Sequence, residues 1–316
     1  MSAGRRGILL VLGLLLTRAA EAMTCVGADT MQDLTAAWAA PFGAQVTVDR
    51  STKLSAEGFD RLIAGQADCV TYVREPFASE LAAYRDKFKT EPFLLPVAGG
   101  SYDTKSGTHA IAVYVNKTNP LSNLTIIQLK TLFGSKTITR WGQLGLTGEW
   151  ADRPIHVYGM LRQRGTGNPP GIVNFLQQRV LAGGQFRDDL REQTGDALQE
   201  ITNRIAEDPD GIGFSGFGFA QPGVKTLALA EMAQGPFYQG TKDEVANRVY
   251  PLSRSIYLMV KPEQGGKLSP LQYQFLAGAL SAEGQRAVAA DKMGFLPLTP
   301  NLRAESRAKL EQWRTP

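Results

Sequence analysis

The chain is poor in the side chains on which most enzymes and metal proteins depend. Its 316 residues include two histidines, His109 and His156, and two cysteines, Cys25 and Cys69. Neither histidine has the spacing of a metal ligand, and no H-E-x-x-H, G-x-S-x-G or Walker loop occurs. No general base stands beside a nucleophile in the pattern, so no reaction, no cofactor and no metal is expected. Runs of lysine and arginine are missing, so a formal charge of +4 leaves no nucleic-acid footprint. After the first 22 residues no apolar stretch is long enough to span a bilayer.

What is present is an ordinary globular composition, 43% hydrophobic and 20% charged. The length suits one large domain or two modest ones. The first 22 residues read as a secretory signal. Arg5 and Arg6 precede an apolar run at 7–16, and Ala20-Glu21-Ala22 is a small-x-small cleavage site before Met23. Losing them removes Arg5, Arg6, Arg18 and Glu21, which leaves a charge of +2. Export to an oxidising compartment permits a disulfide between Cys25 and Cys69, each in an apolar strand. Two buried thiols are the equal alternative.

Strand and helix signals alternate along the chain. Strands are expected at 24–27, 45–49 and 69–73, with helices carrying Leu34, Ala37 and Trp38, then Phe59, Leu62 and Ile63, between them. Such alternation gives parallel sheets covered by helices. A second block repeats it. An apolar strand at 110–115 is followed by the capping box Thr125-x-x-Gln128, a strand at 154–158, a helix at 171–181 and a helix opened by Asp196. Residues 250–260 read as a long strand returning to the first block, followed by helices capped at Ser269 and Ser281. Gly211-Ile-Gly213-Phe-Ser-Gly216 fits G-x-G-x-x-G, but it follows an Asp-Pro-Asp-Gly turn and opens no helix pattern. It is read as a strand and turn rather than a dinucleotide loop.

Four segments in order, GADTMQDLTAAWA, LIAGQADCVTYVREP, ITRWGQLG and GIGFSGFGFA, with the run YPLSRSIYLMV to SAEGQRAVAADKMGFLPLTP, carry a resemblance. Over nearly the whole mature chain the sequence resembles the phosphate-binding-protein-like family, the periplasmic receptors of ABC-type phosphate importers. The resemblance implies an α/β, two-lobed type II periplasmic binding protein, each lobe a mostly parallel sheet flanked by helices, joined by a two-strand hinge. It implies residues 23–112 and 252–316 as lobe I, and 113–251 as lobe II. It implies a periplasmic monomer that binds inorganic phosphate or a similar oxyanion and delivers it to a membrane permease.

In that family the anion is held by N–H groups at helix starts, by hydroxyls and by an arginine. A helix start offers unpaired donors and partial positive charge, and a guanidinium fork matches two oxygens. Carried over position by position, the implied ligand residues are Asp29, Thr30, Ser55, Arg74, Arg164, Gly165 and Thr166. For Thr30 and Ser55 a helix-capping role is the alternative, and for Arg74 a structural ion pair. Ala28, Val73 and Arg164 stand where the family has hydroxyls. Asp29 and Glu75 are the candidate acceptors for a phosphate proton, which sulfate lacks. Two other functions stay open: an exported sensor or interaction module with a degenerate anion site, and a secreted phosphoesterase.

Overall fold

The computed structural model describes residues 22–105, 107–162, 169–263 and 266–315. All but the last residue of the 22-residue leader therefore lies outside the described residues, as do Arg164, Gly165 and Thr166. The first stretch runs β1 (Met23–Gly27), α1 (Gln32–Ala39), β2 (Val46–Val48), α2 (Ser55–Ile63), β3 (Cys69–Tyr72), α3 (Ala78–Phe88) and β4 (Phe93–Ser101). The chain then crosses to β5 (Ile111–Asn116), β6 (Asn123–Thr125), α4 (Ile126–Gly134), β7 (His156–Met160), α5 (Gly171–Arg179) and β8 (Arg191–Gln193). This stretch continues through α6 (Ala197–Glu207), β9 (Gly211–Gly216), β10 (Val224–Thr226), β11 (Ala228–Ala230) and α7 (Lys242–Ala246). It returns to β12 (Ser255–Val260), α8 (Pro270–Ala279), α9 (Ala282–Ala290), β13 (Phe295–Leu296) and α10 (Pro300–Glu311).

Two main sheets result, ordered β13-β4-β12-β3-β1-β2 and β10-β5-β9-β7-β8, with a small β11-β6 pair beside the second. Each has its own core. Trp38, Phe93 and Phe275 pack on the first, and Phe133, Trp141 and Phe214 on the second. The apolar face of α1 is Leu34, Trp38 and Ala39, while Ala37 is exposed.

The sheets are mixed rather than mostly parallel, which corrects the expectation from alternation. β1 is parallel to β2 and β3, and β7 to β8 and β9. But β12 is antiparallel to β3 and β4, and β5 is antiparallel to β9 and β10. The reason is where the crossings enter. A strand arriving from the other half starts where β1 and β3 end, so it must run against them. The two crossings travel side by side: the Arg254 carbonyl accepts from Gly100 N at 3.0 Å, and the Leu252 carbonyl from Ile111 N at 3.2 Å. Residues 250–254 belong to this crossing, so the returning strand is shorter than its apolar run. β4 has no helical or alternating signature because Pro96 and two glycines interrupt it. It is tolerated because the β4–β12 register slips beside Pro96, where a missing N–H costs no ladder bond.

Gly211 to Gly216 form β9, inside the second sheet, so no phosphate loop exists there. Cys25 and Cys69 are register partners on β1 and β3, fully buried and free. Burial, then the Cys69 side chain beside it, pushes the Cys25 thiol well up. The capping box forms as read: Thr125 Oγ1 accepts from Gln128 N at 3.1 Å, and Gln128 Oε1 from Thr125 N at 2.9 Å. Thr125→Ala is expected to cost about 1 kcal/mol of stability in a urea melt. An unchanged midpoint would show the cap to be replaced by water.

Candidate functional site

Strand ends and helix starts meet between the two sheets, the usual place for a ligand in open α/β folds. A cavity of about 540 Å³ lies there. From the first half it is lined by Ala28, Asp29 and Thr30 after β1, by Lys53 to Ala56 around the start of α2, and by Val73 and Arg74 after β3. From the second half come Met160 at the end of β7, Pro170, Gly171 and Ile172 at the start of α5, and Leu198 on α6. The crossings add Gly107, Thr108, His109 and Arg254. A larger hollow of about 800 Å³ lies by Met23, Lys261 and Ser269, but its walls come from the first half alone.

Thr30 sits in a short turn at 29–31 whose cap, Ala28, makes no side-chain bond. Its Oγ1 is buried and has no partner, so capping does not consume it. Asp29 is exposed, with its N–H bonded to the Lys53 carbonyl at 3.0 Å. Ser55 opens α2, but its hydroxyl donates to the Thr71 carbonyl at 2.9 Å and thereby ties the helix to β3. Glu57 does the capping, accepting from Lys53 N at 2.6 Å and Leu54 N at 3.3 Å. Gly58 makes this approach possible, since a Cβ there would stand 2.7 Å from Gly27 Cα.

Arg74 lines the cavity, yet its fork is occupied. NH1 and NH2 donate to Glu80 Oε2 and Oε1 at 2.9 and 2.5 Å, and its plane lies 3.7 Å over the Phe77 ring. The structural ion pair weighed for Arg74 is therefore formed, with Glu80 as partner rather than Glu75. Glu75 instead meets Arg254, whose NH2 donates to Oε2 at 2.9 Å. Thus Asp29, Thr30, Ser55 and Arg74 are brought together at one cavity, while Arg164, Gly165 and Thr166 lie outside the described residues. Of their flanks, Pro169 lines the cavity and Arg162 is paired with Glu192.

Two lining residues escaped the sequence reading. Arg254 is 5% exposed, its Nε has no partner, and it lies 5.0 Å over the Phe175 ring of α5. His109 is 8% exposed, packs edge-on to Phe219 at 5.2 Å, and leaves Nδ1 without a partner. Burial first, then Arg254, holds its pKa down to about 4. The Thr104 backbone and Asp196 pull weakly the other way. For Arg254 a signal existed: a guanidinium interrupting an otherwise apolar run is seldom without a partner or a purpose. Reading that run as one continuous strand hid it.

The halves also touch directly. Asn174 Nδ2 on α5 donates to the Glu75 carbonyl at 3.2 Å, and Lys105 Nζ reaches Gln199 Oε1 at 2.6 Å. Gly171 lies on Arg74, where a Cβ would come within 3.1 Å of Arg74 Cβ. Among the described residues no group of three His, Cys, Asp or Glu could hold a metal ion, and no helix is long and apolar enough to cross a membrane.

The family model for the PBP superfamily domain matches residues 17–283. The phosphate-binding protein PstS of Pseudomonas aeruginosa is 32% identical over 286 residues, covering 87% of this chain and 83% of that protein. An ABC-type phosphate transport receptor from Vibrio cholerae superposes with a TM-score of 0.58 at 18% identity, over 88% of this chain and all (100%) of that one. A possible phosphate binding protein from Planctomyces limnophilus gives 0.56 at 17% identity, over 94% and 99%. The solved structures at these identities speak for the fold.

Proposed function

We propose, on the premise that the chain belongs to the PBP superfamily and within it to the phosphate-binding-protein-like family, that it is an exported receptor. It captures an inorganic oxyanion, phosphate by preference, and presents it to the membrane permease of an ABC-type importer. It acts as a periplasmic monomer and catalyses nothing. Residues 23–112 with 252–316 form one lobe, and 113–251 the other.

One observation carries this reading. A single cavity collects the starts of α2 and α5 from the two halves, the unpartnered hydroxyl of Thr30 and the buried Arg254. Helix starts and fixed donors in a half-dry cleft suit a small anion and little else. Within the inferred site Thr30 gives its hydroxyl, the first turn of α2 at Ser55 gives N–H groups, and Arg74 and Asp29 form the wall. Arg164, Gly165 and Thr166, outside the described residues, complete the implied ligand set. Anion capture between lobes would draw them together and change the surface offered to the permease.

Calorimetric titration against phosphate, sulfate and tungstate tests this directly. The protein is expected to bind phosphate, and Thr30→Val to weaken it about tenfold through one lost charged-acceptor bond. A flat titration across the panel would instead favour a sensor with a degenerate site. Ala28 and Val73, apolar at positions where the family has hydroxyls, speak for that second reading.

A further inference from the structure

Among the described residues, uncommitted positive charge is scarce in this cleft. An anion that sheds its water needs a cation whose donors are not already committed. Arg74 is not that cation, since both terminal nitrogens serve Glu80 and a third contact goes to the Glu75 carbonyl at 3.1 Å. Lys53 is exposed at the rim. Arg254 has the opposite character. Its side chain is 4% exposed, it lines the cavity, and only NH2 has a partner carboxylate. Its Nε–H is buried and unpaired. A guanidinium carries five donors in a fixed fork, and an unpaired one in a buried setting is costly unless something completes it.

Its placement adds a second reason. Arg254 stands on the return crossing, beside the outgoing one. Its carboxylate partner Glu75 belongs to the first half, and the ring it covers, Phe175, belongs to the second. An anion seated on this fork would contact a side chain that already touches both halves.

Resting on the oxyanion-receptor reading above, we propose that Arg254 is the principal anion-binding cation of the cleft. Glu75 is its intramolecular competitor: the carboxylate holds the guanidinium in place when the cleft is empty and sets the affinity by opposing the incoming anion. The chemical class recognised is a tetrahedral oxyanion small enough for the cavity.

The test is calorimetry of inorganic phosphate on the purified protein and three variants, with folding checked by thermal melting. Glu75→Gln removes the competitor and is expected to tighten phosphate about tenfold. Arg254→Met combined with Glu75→Gln is expected to weaken it about 100-fold relative to wild type. If Arg254 merely neutralised Glu75, the double variant would bind like wild type, and that result overturns the proposal. So does a Glu75→Gln protein that binds phosphate no more tightly than wild type. Should the methionine variant fail to fold, Arg254→Lys with Glu75→Gln decides. The lysine keeps the charge without the fork, so about tenfold weaker binding than Glu75→Gln alone is expected, and equal binding overturns the proposal. A wild-type protein silent to phosphate, sulfate and tungstate overturns the receptor reading itself, before any variant is compared.

Discussion

Glu80→Ala is expected to destabilise the protein by about 3–5 kcal/mol, the range for stripping one partner from a buried ion pair. Three donors depend on this carboxylate: Arg74 NH1 at 2.9 Å, Arg74 NH2 at 2.5 Å and Phe77 N at 2.8 Å. Both ends are shielded, with the side chains 10% and 6% exposed. Alanine would leave a cation between Phe77 and Tyr72 with no carboxylate to answer it, and α3 without its capping carboxylate. A thermal melt should fall by about 10 °C. The loss should be mostly recovered in Arg74→Met with Glu80→Met, because two apolar side chains carry no desolvation penalty. Equal melting of Glu80→Ala and wild type would mean that solvent reaches Arg74 freely and that the wall is not rigid.

The second large effect is a pH dependence owed to His109. Burial and the neighbouring Arg254 oppose its protonation, while the Thr104 carbonyl and Asp196 favour it weakly, and the balance is a folded pKa of about 4 against an ordinary 6.5. The sign follows from proton counting. Between these two values the unfolded chain holds a proton that the folded one refuses, so stability falls as pH falls. Above 6.5 the contribution is fully present, and by pH 4 it is gone. The difference corresponds to about 3 kcal/mol. Wild type and His109→Gln should therefore diverge in urea melts taken at pH 7.5, 6, 5 and 4, with wild type losing more. Curves that stay parallel would show that His109 protonates without hindrance and is not enclosed between Gly216 and Phe219.

Much of this was legible in the chain. Thr125 and Gln128 announced their capping box, Ser269 and Ser281 their helices, and the strand at Cys69 its place, because each depends on neighbours three or four residues away. Strand β4 was not legible. Pro96 and the Gly99-Gly100 pair argue against a strand locally, and only the bulged pairing with β12 makes room for them. The candidate site divides in the same way. Thr30 and Ser55 could be placed near helix starts from local pattern. That the Ser55 hydroxyl would be spent on the Thr71 carbonyl could not, because its acceptor is 16 residues away in sequence.

The sequence by itself determined that the chain alternates strands and helices in two blocks, and that small polar residues stand at several helix starts. Periodicity, caps and composition are local properties, and local properties survive without coordinates. Only the tertiary structure decided which of the two described cavity arginines keeps an uncommitted donor. Arg74 and Arg254 are both cavity-lining guanidiniums beside strand ends, and nothing within a few residues of Arg254 separates their roles. Glu80 takes one fork whole, whereas Glu75, reached from 179 residues away, takes a single nitrogen of the other. Which donors remain for a ligand is set by long-range pairing, and pairing across the crossings is a property of the folded chain alone.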